Sequence, residues 1–260
     1  MKVYLLTHTE DPERIVAAAA KLCYSDSNAG DLMEGLTDEE THEFIDMLIN
    51  RLGHESPIEH ASFTFAIEGV SRSLLAQITR HRHTSFSVQS QRYVRLDDFK
   101  YVIPPAVAED EAALQAYKDM MESDAKTYEL ITSILKNKYE QENIDAGLKP
   151  GAAASRAEKR AIEDARFVFP NACETKLMMT MNARSLHNFF KQRCCSRAQW
   201  EIREVADEML RLVYPKAPAI FARCGPGCVR GPCPEGEMSC KNTQKVREFY
   251  RELKEGVSPG

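Results

Sequence analysis

The chain has 260 residues, 43% hydrophobic and 28% charged, with a formal net charge of −5, a composition that excludes disordered, collagen-like and coiled-coil classes. A chain of this length buries roughly 70–75% of its unfolded surface and needs no staples to fold. Its acidity gives no general attraction for nucleic acid or anionic membrane, so any basic site must be local.

From the N-terminus the chain meets Glu10 and Asp11 after a few apolar positions, and the apolar run Ile15 to Ala20 ends at Lys21. This predicts neither an export signal nor a membrane span. The eight cysteines are therefore expected as thiols in a reducing cytoplasm.

Val3 to Leu6 reads as a strand and Pro12 to Leu22 as an alanine-rich helix. Thr37-Asp-Glu-Glu40 is a capping box opening a helix with the stripe Phe44, Met47, Leu48 and Leu52, ending near Gly53. Phe63, Phe65 and Ile67 alternate with small or polar residues as in a half-buried strand, and Ser71 to Ile78 turns helical. Phe86, Val88, Ser90 and Arg92 share one parity if that stretch is extended. Beyond Pro104-Pro105, Leu114, Tyr117, Met121, Tyr128, Ile131 and Leu135 give a long polar helix one buried face. Asp145 to Ala154 reads as flexible, and Ser155-Arg-Ala-Glu158 as the cap of a helix ending before Pro170. Lys176 to Asn182 alternates as a strand. Arg184 to Arg193 and a segment capped by Ser196-Arg-Ala-Gln199 and running to about Val213 read as helices, and Lys241 to Lys254 as a terminal one. Without regular βα alternation, the fold class is α/β mixed (α+β): an antiparallel sheet flanked by helices in a single domain, with no Rossmann motif.

Acidic residues number 39, so a 26-residue window should hold about four by proportion. Ser71 to Leu96 holds none, yet carries Arg72, Arg80, Arg82, Arg92 and Arg95. Thr175 to Trp200 also holds none and carries Lys176, Arg184, Lys191, Arg193 and Arg197. Either window alone reads as a solvated basic face, but together they point to surfaces converging on an anion, for which guanidinium forks suit phosphate. Gln77, Arg80 and His81 fall on one helical face, and Arg184 and Asn188 on another with Arg193 further along it.

Arg80-His81-Arg82, seven residues, Ser90, one residue, Arg92 resembles the signature of the flavin-dependent thymidylate synthases. His54-Glu-Ser-Pro-Ile-Glu-His60, Asn182-Ala-Arg-Ser-Leu-His-Asn188 and Ala198-Gln-Trp-Glu-Ile202 extend the match over roughly residues 1–222. Ser87, Val88 and Arg197 depart from the usual pattern. The resemblance implies conversion of dUMP to dTMP, with methylenetetrahydrofolate giving the carbon and NADPH the reducing equivalents through bound FAD. It implies FAD contacts from Ser56, Arg80, His81, Arg82, Asn182, Arg184 and Asn188, and dUMP contacts from Gln77, Arg80, Ser90, Gln91, Arg92, Arg166 and Arg193. Arg193 is the expected catalytic residue, its guanidinium stabilising negative charge on the pyrimidine ring. A homotetramer with sites at subunit contacts is also implied.

No Rossmann glycine pattern offers itself; Gly225-Pro-Gly227 lacks the third glycine. Ser90 has no Ser-His-Asp order beside it, and Cys194-Cys195 reads as a packed thiol pair. His54, His60, His81 and His83 match no zinc spacing, so no metal is expected. The chain divides into a catalytic region, 1–223, and a Cys/Gly/Pro-rich tail, 224–260. The tail spacing Cys224-x3-Cys228-x4-Cys233-x6-Cys240 lacks paired knuckles and reads first as a mobile thiol-bearing tail or subunit-contact loop, with a zinc or iron–sulfur site as the lesser alternative. A non-catalytic nucleotide- or RNA-binding module using the Arg80 to Arg92 patch is the rival reading, set back by the net acidity and the lack of an RNP-type aromatic pattern. A different flavin- or folate-binding enzyme is a second rival.

Overall fold

The computed structural model describes residues 1–91 and 100–256. Strand β1 (Lys2–His8) leads into α1 (Pro12–Leu22), α2 (Ala29–Glu34) and α3 (Asp38–Ile45), then β2 (Ser62–Ser71), α4 (Arg72–Ile78) and β3 (Thr84–Val88). There follow α5 (Pro105–Ala108), α6 (Glu111–Asp145), α7 (Pro150–Ala165), β4 (Glu174–Asn182), α8 (Ala183–Arg193), α9 (Trp200–Val213), α10 (Pro218–Phe221) and α11 (Thr243–Glu255). The strands form one antiparallel sheet in the order β1-β2-β4-β3. Helices and an antiparallel sheet are thus mixed as expected.

The chain separates into two compact units. One holds residues 1–68, 77–87 and 178–260; the other holds 69–76 and 88–177. In the first, β1 pairs antiparallel with β2, Val3 opposite Ile67 and Leu5 opposite Phe65, with a one-residue shift between Leu5 and Thr7. Phe63, Phe65 and Ile67 are wholly buried, as their parity requires. Met179 and Met181 of β4 are buried likewise, and the Thr64 and Thr180 hydroxyls bond at 2.9 Å. Phe63 and Phe190 set their rings edge-on to Phe221, with centroids at 5.3 and 6.1 Å. α9 buries Ile202, Val205, Ala206, Met209, Leu210 and Val213, a 3.6-residue stripe.

In the second unit α6 and α7 form an antiparallel-type hairpin sealed by Tyr139 against Ala157 and Ala161. Tyr139 donates from its hydroxyl to Asp164 at 2.7 Å, while the Arg160 guanidinium lies 3.8 Å from the ring centroid. Small residues let the helices approach; the long side chains at the rim close over them. Tyr117, Met121, Tyr128 and Leu135 point inward or lie half-buried, matching the predicted face.

Four local expectations are corrected. The capping box at Thr37 forms as predicted, Thr37 Oγ1 accepting from the Glu40 amide and Glu40 accepting from the Thr37 amide. Downstream, however, Asp46–Arg51 widens into a π-helical turn, so Ile45, Leu48 and Ile49 are buried while Met47 and Leu52 face outward. α7 begins at Pro150, placing Ser155 inside it: proline at the first helical position needs no amide partner, and the flexible segment is shorter than expected. α9 is capped by Gln199 itself, whose side chain accepts from the amides of Glu201 and Ile202. Finally the tail is packed rather than loose: Cys224, Cys228 and Tyr250 are buried, and Lys254 donates to the Ala222 carbonyl at 2.7 Å.

Tyr250 of α11 donates to Asp207 of α9 at 2.5 Å and lies 2.8 Å from the Cys194 carbonyl. Burial pushes the Asp207 carboxyl up to about 6, against which the Tyr250 hydroxyl pulls weakly downward. The folded state therefore holds this proton more tightly than the unfolded chain. Its contribution to stability is full below about pH 4 and is lost as pH rises through about 6. Asp207→Asn is expected to stabilise the protein above pH 6 by about 1–3 kcal/mol and to converge on the parent below pH 4, which chemical denaturation at several pH values reads directly.

Candidate functional site

β4 ends in Asn182, whose side chain accepts from the Ser185 amide at 2.8 Å and so starts α8. The next residue, Ala183, donates its amide to the Ala61 carbonyl at 2.7 Å, tying the helix start to the 3-10 turn Pro57–His60. These two bonds bring Glu59 beside the first turn of α8, where it pairs with Arg184. A cleft of about 450 Å³ opens here, lined by Glu59, His81, Arg82, His83, Thr84, Asn182, Arg184, Ser185 and Asn188. That volume falls in the range of small-molecule sites, about 300–1,000 Å³.

The two acid-free windows thus meet, since Arg82 and Arg184 line the same cleft. Of the residues assigned to FAD, His81, Arg82, Asn182, Arg184 and Asn188 line it, whereas Ser56 and Arg80 do not. Ser56 stands just before Pro57, on the turn that carries Glu59. Glu59, His83, Thr84 and Ser185 have no assigned role from the sequence, although His83 is weighed there as a metal ligand and Glu59 and Ser185 fall within the quoted motifs. Ser185 lies one turn from Asn188 and Thr84 shares parity with Phe86, so periodicity could have found both. Glu59 lies outside both windows and was invisible to a search for missing carboxylates.

Arg193 is corrected in position. Five residues beyond Asn188, at about 100° each, carry it well round the helix from the Arg184–Asn188 face. There its Nε donates to His81 Nε2 at 3.1 Å and its Nη2 reaches the Gln77 carbonyl at 3.5 Å. His81 also sets its ring edge-on to Phe189 at 4.9 Å. Burial, then the Arg193 charge, pulls the imidazole down to about 4, so at neutral pH it is uncharged. Accepting at Nε2 places its proton on Nδ1. Arg193 is itself lowered by burial and by the neighbouring Arg80 guanidinium. Among the described residues no carboxylate pairs with Arg80, Arg82 or Arg193. Guanidiniums without a carboxylate partner among the described residues can attract an anion.

The remaining residues assigned to dUMP lie in the second unit or beyond description. Gln91 donates to the Cys173 sulfur at 3.6 Å, and Arg166 donates to the Glu163 carbonyl at 3.1 Å. Ser90 belongs to the same unit. Arg92 lies outside the described residues.

Elsewhere in the first unit, His187 is buried between two partners: its Nε2–H donates to the Ile220 carbonyl at 2.9 Å, and Arg230 donates to its Nδ1 at 3.0 Å. Burial and the Arg230 charge lower it to about 3, so it is a neutral structural link from α8 to the tail.

A family described as thymidylate synthase complementing protein matches residues 4–219. Relatives named flavin-dependent thymidylate synthase include one from Clostridium tetani, 52% identical over 250 residues, covering 96% of this chain and 97% of its own. Another, from Geobacter sulfurreducens, is 46% identical over 255 residues, covering 97% and 99%. A third, from Pyrococcus furiosus, is 34% identical over 267 residues, covering 98% and 99%.

The Arg193–His81 bond predicts that His81 keeps one neutral form between about pH 5 and 8. Nitrogen-15 NMR of the labelled imidazole should show the Nδ1–H tautomer throughout that range; in Arg193→Ala the same resonance should titrate at higher pH, because a positive neighbour is gone.

Proposed function

The chain belongs to the flavin-dependent thymidylate synthase family, and from that membership we propose that it converts dUMP to dTMP, with methylenetetrahydrofolate as carbon donor and NADPH as reductant through FAD. The observation that carries this reading is the meeting of Arg82 and Arg184 in one cleft with Asn182 and Asn188. Those residues suit FAD: two guanidiniums, one without a carboxylate partner, offer forked donors to a pyrophosphate, and the two amides add neutral hydrogen bonds. When bound and reduced, FAD supplies the hydride that the protein's own side chains cannot.

Arg82 and Arg184 would hold the pyrophosphate, with Arg184 exchanging its Glu59 partner for the ligand. Glu59 then discourages stray anions until one with enough charge displaces it. Ser56 and Arg80 are proposed to complete the flavin contacts, and Gln77, Ser90, Gln91, Arg92, Arg166 and Arg193 to bind dUMP, with Arg80 shared.

Arg193 is the catalytic residue of this proposal. His81, uncharged and accepting at Nε2, orients the guanidinium without neutralising it. The remaining N–H groups would meet the pyrimidine carbonyl and N3 edge, where they stabilise negative charge and make C5 nucleophilic towards the folate methylene. Arginine stays protonated and acts by charge rather than as a base. Lysine would give a single point charge in place of a planar fork. We extend the proposal to a cytoplasmic homotetramer with sites completed at subunit contacts, and to residues 1–223 as the catalytic region with 224–260 as an appended tail. Among the described residues no helix is long and apolar enough to cross a membrane.

Tritium release from C5-labelled dUMP, dependent on both folate and flavin, tests the reaction. Its absence in flavin-loaded protein, with oligonucleotide retained instead, would favour a binding module. Arg193→Ala is expected to cut turnover by about 10²–10³-fold with flavin still bound. Arg82→Ala should release flavin on gel filtration while the circular dichroism spectrum stays unchanged.

A further inference from the structure

Four thiols gather away from the cleft. Cys195, Cys228, Cys233 and Cys240 line one small cavity of about 20 Å³, with Lys191, Ser196 and Arg197 among its walls. They come from separate places: the turn between α8 and α9, the 3-10 turn Gly227–Val229, the loop after it, and the stretch just before α11. Cys224 does not join them; it is fully buried beside Cys194, Arg230 and Lys254. The four-thiol set is therefore not the one that the tail spacing suggests.

The surrounding chain is built to hold these thiols together. A Cβ at Gly227 would lie 2.7 Å from Pro234 Cγ, so the arms bearing Cys228 and Cys233 close only with glycine there. Arg247 donates to the carbonyls of Cys228 and Gly231 at 2.8 and 2.7 Å, anchoring the loop to α11. Arg197 pairs with Glu235 at 2.8 Å, anchoring it to the α8–α9 turn. The Asn242 amide and the Ser196 side chain stand near the Cys240 sulfur, where donors commonly lie around metal thiolates. Cys228 lies within electrostatic reach of the other three sulfurs.

We propose that Cys195, Cys228, Cys233 and Cys240 form a tetrathiolate site for a single zinc ion that pins the tail to α8 and α9. Soft thiolates in a set of four select a tetrahedral metal. The space that the four thiols line is small, about 20 Å³, which suits a single ion. Among the described residues no three side chains stand at metal-ligand separation in this conformation. Closure to Zn–S distances of about 2.3 Å therefore draws the four sulfurs inward from this conformation. On binding, each thiol loses its proton to solvent and donates a sulfur pair to the cation. Four thiolates and one dication leave a charge of −2, which Lys191 offsets in part, the Arg197 charge being shared with Glu235. Because the ligands close only around the ion, metal binding becomes folding free energy for a tail that otherwise has few apolar side chains to bury.

Protein purified with its flavin and without chelator, then supplied with zinc and dialysed, should carry one zinc per chain by plasma mass spectrometry. Cobalt in its place should give thiolate-to-metal charge-transfer absorption and the intense visible bands of a tetrahedral site. Cys233→Ser and Cys240→Ser should lose the metal, whereas Cys23→Ser should keep it. Removing zinc should expose four additional thiols to an aromatic disulfide reagent and speed amide exchange in the tail. Wild-type protein that takes up no stoichiometric zinc and gives no cobalt charge-transfer band overturns the proposal, as does iron with acid-labile sulfide, or disulfides among these four cysteines by intact mass. If the serine variants fail to fold, the wild-type metal content and cobalt spectrum decide the matter.

Discussion

The junction between β4 and α8 is the constraint on which the candidate site rests. Asn182 must end a strand, cap a helix and line a cleft at once, and the Ala183 amide must reach the Ala61 carbonyl. Those bonds set the angle at which α8 leaves the sheet. From that angle follow the placing of Arg184 and Asn188 on the cleft, the approach of Glu59, and the turning of Arg193 towards His81. A capping bond is worth about 1 kcal/mol; here its larger effect is geometric, because every functional side chain on the helix inherits its direction.

Charge around Arg193 is not balanced by a carboxylate among the described residues. Arg193 and Arg80 repel one another, and His81 gives up its charge instead of adding a third. A carboxylate in the place of His81 would pair with Arg193 and relieve the repulsion, but would neutralise the fork. A neutral acceptor orients without neutralising. Glu59 does the opposite for Arg184, pairing with it directly.

The tail shows a second way of using few apolar residues. Cys224, Tyr250 and the aliphatic stem of Lys254 enter the core of the first unit, while Arg230 and Arg247 tie loops by bonds to carbonyls. Tyr250 bridges Asp207 and the Cys194 carbonyl, so α11 is held by a buried polar link as well as by packing. The thiols at the outer side of this arrangement face one another across the loop. An ion there would complete from outside what the core begins from within.

Much of the scaffold was legible in the residues alone. Alternation placed Phe63, Phe65, Ile67, Met179 and Met181 inward; Thr37 and Glu40 announced a helix start; and two windows without carboxylates hold the arginines, Arg82 and Arg184, that line one cleft. These are local signals, carried by side-chain period and by charge within a few turns of chain. What the tertiary structure decided depends on residues far apart in sequence: Glu59 reaching Arg184, Arg193 leaving its expected face to meet His81, and Cys195 joining the tail thiols while Cys224 turns inward. The π turn at Asp46–Arg51 and the early start of α7 belong with these, since packing selects among local conformations of similar energy. Periodicity tells which way a side chain points from its own element; only the folded chain tells what it meets there.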